Sequence, residues 1–344
     1  MKMIHITRSL SHFNIPYKAF LNDNYYKTFS YIGNFKIGEY KGPSGCNSIS
    51  NNKVLSLKKS FSESLERRAL MLGGCINSNG KVNTFDLLSK NINELPIEYS
   101  KYKASNPMCS DTTGTAAHTN SEQAIKNALL ELIGKNALFL FWYGKQGSIL
   151  DRNLTGYEYE IQKLHREGKN LKLFVNTYFS PAIAVFAFIF DEHCIYASGV
   201  GTSLVLEDSI TAAIEEAFLL KWQNEVEDMR NYKKVSTIDY KYHGECLKYL
   251  EESFKDTYIE EPIKNKNGGV DELLLSFPTW VEELHAIFLR NSIKSNLKIV
   301  KIFSKNLNNH IPIKQRINVD QTINKKTINL TESDLYNIPD CIII

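Results

Sequence analysis

The 344-residue sequence lacks the signatures of several common enzyme classes. Its six cysteines (Cys46, Cys75, Cys109, Cys194, Cys246 and Cys341) are widely spaced and form no CxxC pair. That speaks against a zinc site or a disulfide framework and suits the reduced thiols of a cytoplasmic protein. HExxH and GxSxG are absent, as are the P-loop and the full dinucleotide fingerprint, and His118, His165, His193, His243, His285 and His310 are isolated. The cluster Asp191, Glu192, His193, Cys194 reads as a hairpin turn, because successive strand positions point to opposite faces and cannot share one ion. The longest apolar runs, at 137–143 and 183–190, are far shorter than the ~20 residues of a membrane-spanning helix. The amino terminus has no apolar core or cleavage site of a secretory signal. Charge of one sign is also missing. With 41 basic and 38 acidic residues the formal net charge is +3, too little to attract nucleic acid or an anionic membrane.

What is present is an ordinary globular composition, 43% hydrophobic, long enough for one large α/β unit or two closely packed lobes. No internal period points to a solenoid. Pro43 with Gly42 and Gly45 marks a tight loop. From 54 to 72 the pattern is helical, with Leu57, Phe61, Leu65 and Ala69 four apart and Gly73 and Gly74 ending it. A connection containing Pro96 and Pro107 leads to a second helix from about Glu122, with Ser121 or Thr119 as its cap. Strands are expected at 171–178, 183–191, 194–201 and 297–304, and helices at 207–229, 241–256 and 279–292.

Three constellations could carry chemistry. Ser60, Glu63, Glu66 and Arg67 recur at steps of three and four on the first helix. Carboxylates beside a guanidinium suit Mg²⁺ and phosphate, although a solvated face with a Glu63–Arg67 ion pair explains the same spacing. On the second helix Gln123, Asn127, Glu131 and Lys135 form a narrow polar line among aliphatic residues. Such a line demands a partner, whether a ligand or an internal Glu131–Lys135 pair. The third is GVGTSLVLEDSITAAIEEAFLLKWQ, a strand, a glycine turn and a helix bearing Glu215, Glu216, Lys221 and Gln223. Its junction could receive phosphate or be a simple turn.

In order, SFSESLERRAL, DTTGTAAHTNSEQA, NALLELIGKNALFLFW and GVGTSLVLEDSITAAIEEA resemble the motif series of the YcaO family, enzymes that use ATP to activate backbone amides of ribosomally made peptides. The resemblance is clear over roughly residues 40 to 230. It implies an α/β fold of mixed sheets flanked by helices, with an ATP site between the acidic helices, and a domain of 41–344 preceded by an extension at 1–40. It implies Glu63, Glu66 and Glu131 as Mg²⁺ ligands, with Ser60, Arg67, Gln123, Lys135 and Glu216 near the ATP. Gly134 and Lys135 stand where the family has a second Glu followed by Arg, so one carboxylate is missing and a forked donor becomes a point charge. The ending NIPDCIII also lacks the proline-rich terminus common in azoline-forming members. The implied activity is ATP- and Mg²⁺-dependent cyclodehydration of a precursor peptide to azolines. Its implied partners are a leader-peptide-binding protein and a flavin-dependent dehydrogenase. A non-catalytic YcaO-like subunit, a thioamide- or amidine-forming enzyme, and a nucleotide-binding regulatory protein are the alternatives.

Overall fold

The computed structural model describes residues 25–31, 36–37, 40–42, 45–102, 111–230, 238–259, 263–291 and 295–343. Most of the expected extension, the loop residue Pro43, and Pro107 with Cys109 lie outside them. The chain begins with β1 (Tyr26–Tyr31), β2 (Lys36–Ile37), β3 (Tyr40–Lys41), β4 (Gly45–Ser50) and α1 (Lys53–Leu72). It continues through β5 (Lys81–Asp86), β6 (Ile92–Pro96), β7 (Thr115–His118), α2 (Ser121–Gly144), β8 (Ser148–Ile149) and α3 (Glu158–Arg166). Next come β9 (Asn170–Asn176), β10 (Ile183–Phe190), β11 (Ile195–Ser203), α4 (Leu206–Arg230), α5 (Tyr240–Ser253) and α6 (Val270–Leu274). It closes with β12 (His285–Phe288), β13 (Lys298–Phe303), α7 (Thr322–Lys326) and α8 (Glu332–Asn337).

Two antiparallel sheets dominate, one ordered β6-β5-β12-β13-β7 and the other β11-β10-β9-β8. Strand alternation gives each sheet two apolar faces. On the five-stranded sheet Ile287, Ile299 and Phe303 meet Leu65, Ala69 and Leu70 of α1, while Ala286, Val300 and Ile302 join the core cluster of α2. On the four-stranded sheet Val185, Ala187 and Ile189 meet Ala213, Ile214 and Ala217 of α4. Its other face turns Phe174, Phe186 and Phe188 toward Phe141 and Phe254, with ring centroids of Phe141 and Phe186 at 4.4 Å. The layers therefore run α1, sheet, α2, sheet, α4. This explains why α2 is so apolar apart from its one polar line: it is the central layer, and most of its residues from Leu132 to Tyr143 are buried.

Two of the expected elements need correction. The helix expected at 279–292 is absent. There β12 takes an inner place between β5 and β13, where both edges of its backbone are paired, and this outweighs the helical spacing of its apolar residues. The cap of α2 is Asn120, whose side chain accepts from Gln123 N at 3.0 Å, in place of Ser121 or Thr119. The segment 191–194 is the expected hairpin turn, with Asp191 Oδ1 accepting from the backbone N–H groups of His193 and Cys194. The sequence 1–40 contains β1, which pairs along its length with β4. Among the described residues no helix is long and apolar enough to cross a membrane.

Candidate functional site

The acidic residues of α1, α2 and α4 converge on two strand edges. Among the described residues β7 ends its sheet and pairs only with β13, so its outward N–H groups have no strand partner there. Thr115 N donates to Glu131 Oε2 at 3.0 Å and Ala117 N donates to Glu66 Oε1 at 2.8 Å. Two residues of strand separate these donors, so the two carboxylates are moored ~7 Å apart along one edge. β11 is the edge of the facing sheet, and its Val200 N donates to Glu216 Oε2 at 2.5 Å. Glu63 completes the set. It accepts from Arg67 at 2.6 Å, the i,i+4 contact anticipated from spacing, and also from the backbone of Asn47.

Burial raises the affinity of Glu63, Glu66 and Glu131 for protons, and acidic neighbours raise it further. Glu66 is held well above the ordinary carboxylate range by burial and then by Glu131, with the Ala117 N–H a partial offset. Glu131 is pushed up to about 7 by burial, against the pull of Lys135, Lys301 and the Thr115 N–H. Glu63 is raised by burial despite Arg67, and it feels Glu216. Such a field favours a cation. Among the described residues no three acidic, histidine or cysteine side chains are close enough to enclose an ion by themselves. The donor set therefore suits Mg²⁺ completed by phosphate and water, the hard ion that takes few carboxylates and retains waters. The residues that hold these carboxylates carry further buried polar atoms with no hydrogen-bond partner among the described residues: Arg67 Nε, Thr115 Oγ1 and Asn47 Oδ1. Arg67 and Thr115 can donate there to an anion, so a magnesium-bound polyphosphate fits.

A cavity of about 310 Å³ opens between α2, β11 and α4, walled by Asn127, Glu131, Lys135, Thr202 and Glu216. Lys135 faces it and makes no ion pair among the described residues, so the internal Glu131–Lys135 pair is not formed. Gln123 lies one turn away and donates to Asn127 Oδ1 at 2.7 Å, orienting that amide. Ser60 is buried and donates to the Cys46 carbonyl at 3.1 Å, which fastens α1 to β4. The other residues of the third motif lie outside this group. Glu215 pairs with Lys59, Gln223 accepts from Asn47, and Lys221 bridges Glu167 and Glu225.

The glycine turn expected between strand and helix is not a turn. Gly199 and Gly201 are inside β11, and a Cβ on either would run into the backbone of α4, at Ala213 and Ala217 for the first and at Ser209 and Ala213 for the second. The glycines allow close approach of strand and helix, which is what brings Glu216 onto Val200.

Sequence reasoning missed the support beneath Glu131. Lys301 is fully buried on β13, donates to the carbonyls of Asp111 (3.0 Å) and Thr113, and is pushed down to about 8 by burial against the attraction of Asp111 and Glu131. Burial works to raise Asp111, but Lys301 and the N–H groups of Ile311 and Thr113 outweigh it, and Asp111 also binds Arg316 at 2.6 Å. A lysine at an inward position of the apolar run LKIVKIFS was the available signal.

A family model described as YcaO cyclodehydratase, ATP- and Mg²⁺-binding, matches residues 81–273, a span that holds Gln123, Glu131, Lys135 and Glu216. Among solved structures, YcaO from Methanopyrus kandleri bound with AMPPCP and Mg²⁺ aligns with a TM-score of 0.62 at 14% identity, covering 82% of this chain and 85% of that one. A chain of the E. coli microcin synthetase McbBCD complex with pro-MccB17 bound gives 0.64 at 16% identity, covering 90% and 95%. A heterocyclase in complex with substrate and cofactor gives 0.61 at 14%, covering 84% of this chain and 49% of that one. Likeness at these identities concerns the fold. No curated protein matches the sequence.

Proposed function

The chain belongs to the YcaO family, and on that premise we propose that it is the ATP- and Mg²⁺-dependent cyclodehydratase subunit of a complex that installs azoline rings in a ribosomal precursor peptide. One observation supports this most: Glu66, Glu131 and Glu216 are each held by a backbone N–H of an edge strand, beside the charges of Glu63, Arg67 and Lys135. Glu63, Glu66 and Glu131 would contribute oxygens to Mg²⁺ completed by phosphate and water, with Glu216 beside the phosphates; the metal when bound would screen phosphate charge and polarise the P–O bonds.

In the proposed reaction a Cys, Ser or Thr side chain of the peptide gives its proton to solvent and adds to the preceding amide carbon. The resulting oxyanion takes the γ-phosphoryl group of ATP and releases ADP. Loss of the amide proton and expulsion of phosphate then form the C=N bond, so one ATP is consumed and the peptide loses one water. Phosphorylation is needed because an amide oxygen is a poor leaving group. Arg67 and Lys135 would orient and neutralise phosphate oxygens, Arg67 through its fork and Lys135 as a point charge. Thr115 Oγ1 would supply a hydroxyl donor, and Gln123 would hold Asn127 in place. Lys301 would keep Glu131 in position from below. Ser60 would act through the α1–β4 contact.

A leader-peptide-binding protein would present the substrate, and a flavin-dependent dehydrogenase would oxidise azolines to azoles. The five described cysteines are free thiols, consistent with a cytoplasmic setting. Purified protein with ATP, Mg²⁺, the partner and the precursor should release phosphate and yield peptide lighter by one water. Absence of both would refute the assignment. Gly134 and Lys135 favour a second reading, a subunit that supports a catalytic relative. Titration with Mg²⁺ and ATP separates the two, since a supporting subunit has no need to bind them. A product with sulfur replacing the carbonyl oxygen, or a new C–N bond without ring closure of Cys, Ser or Thr, would indicate thioamide or amidine formation.

A further inference from the structure

Gly134 lies in the interior of α2, where glycine weakens a helix. Its bare Cα is used: a Cβ at this position would meet the Thr202 hydroxyl inside contact distance. Thr202, opposite Ala184 in the β10–β11 register, projects from the edge strand onto the wall of the cavity beside Glu131, Lys135 and Glu216. Among the described residues its hydroxyl makes no hydrogen bond. The cavity is thus walled by two carboxylates, one ammonium group and an uncommitted hydroxyl seated over the glycine.

We propose that Thr202 is a binding residue for the phosphate groups of the magnesium nucleotide, admitted to the cavity wall by Gly134. This rests on the nucleotide reading of the cavity. A hydroxyl can donate to a phosphate oxygen or offer a lone pair to a cation, whereas a carboxylate in the same space only accepts and repels phosphate. Gly134 and Thr202 consequently act as a unit. The pair exchanges a negative group for a neutral donor and shifts the hold on the nucleotide from metal-mediated toward direct contact with phosphate.

The test is titration of the full-length protein with Mg²⁺ and a non-hydrolysable ATP analogue, followed by calorimetry and by melting temperature. Thr202→Val keeps the shape and removes the hydroxyl. It should weaken binding roughly tenfold, equivalent to ~1.4 kcal/mol, without lowering the melting temperature of the nucleotide-free protein, and Thr202→Ser should bind nearly as the wild type. Gly134→Glu alone should lower the melting temperature because its stem displaces the Thr202 hydroxyl, and Thr202→Ala should restore it in the double variant, a non-additive pair. Wild-type affinity in Thr202→Val, while Glu131→Gln weakens binding, would overturn the role of Thr202 and leave the nucleotide site standing. Absence of binding to the wild type would overturn both.

Discussion

Glu131 titrates near neutrality for reasons visible around it, and the sign of the consequence follows. In the fold it keeps its proton up to about pH 7, whereas its ordinary value is 4.5. Between these values the folded chain binds more protons than the unfolded one. The stabilisation from this group is complete below the ordinary value and is lost as pH rises through about 7. Without Mg²⁺ the melting temperature should therefore fall between about pH 5 and about pH 7.5, and Glu131→Gln should flatten that fall. Identical slopes for the two proteins would remove Glu131 as the cause. A cation selects the ionised form, so the gain in melting temperature on adding Mg²⁺ should be larger at the higher pH. Beneath it, Lys301→Met should cost about 3–5 kcal/mol in urea denaturation, because Asp111 and two carbonyls lose a buried cationic donor. The carboxylates themselves were legible in the sequence because helical spacing aligns them. Lys301 and Asp111 were not, since they meet only through sheet pairing across 190 residues of chain.

At the scale of elements, the apolar helices and long strands were legible because their period and length leave little choice. The four strands β9, β10, β11 and β13 match their expected spans to within two residues at each end. β5, β6 and β7 escaped notice because they are short and their apolar residues do not alternate with polar ones, so they carry little periodic signal. The glycines of β11 were visible but misread: spacing alone does not distinguish a turn from a strand pressed against a helix. Gly201→Ala tests the difference. Its new methyl group would meet the carbonyl of Ser209 and the N–H of Ala213, neither of which can rotate away, so stability should fall by about 1–3 kcal/mol or more. In that variant the α4 helix is pushed off β11, and binding of magnesium nucleotide should weaken along with stability. A neutral result in both measurements would mean that strand and helix can separate at little cost.

For the whole molecule, α2 is the axis on which the two sheets are assembled, and the carboxyl-terminal segment locks onto it. Trp142 Nε1 donates to the Pro339 carbonyl at 2.8 Å and Tyr143 OH donates to Asp340 Oδ1 at 2.9 Å, while Lys314 N donates to the same oxygen at 2.8 Å. Asp340→Ala should loosen the tail, seen as faster limited proteolysis after α8 and a stability loss of about 1–3 kcal/mol. An unchanged cleavage rate would show that the apolar contacts of Cys341 and Ile343 suffice. The layered arrangement was beyond sequence reasoning because nothing local says which face of α2 meets which sheet. One consequence of the strand-edge tethers concerns entropy. A free glutamate surrenders up to ~1.5–2 kcal/mol of rotamer freedom when it becomes fixed. Glu66, Glu131 and Glu216 have already surrendered much of it to backbone amides during folding. An ion that bound there would find oxygens that need little further ordering, so shedding its water would be the larger barrier to its capture.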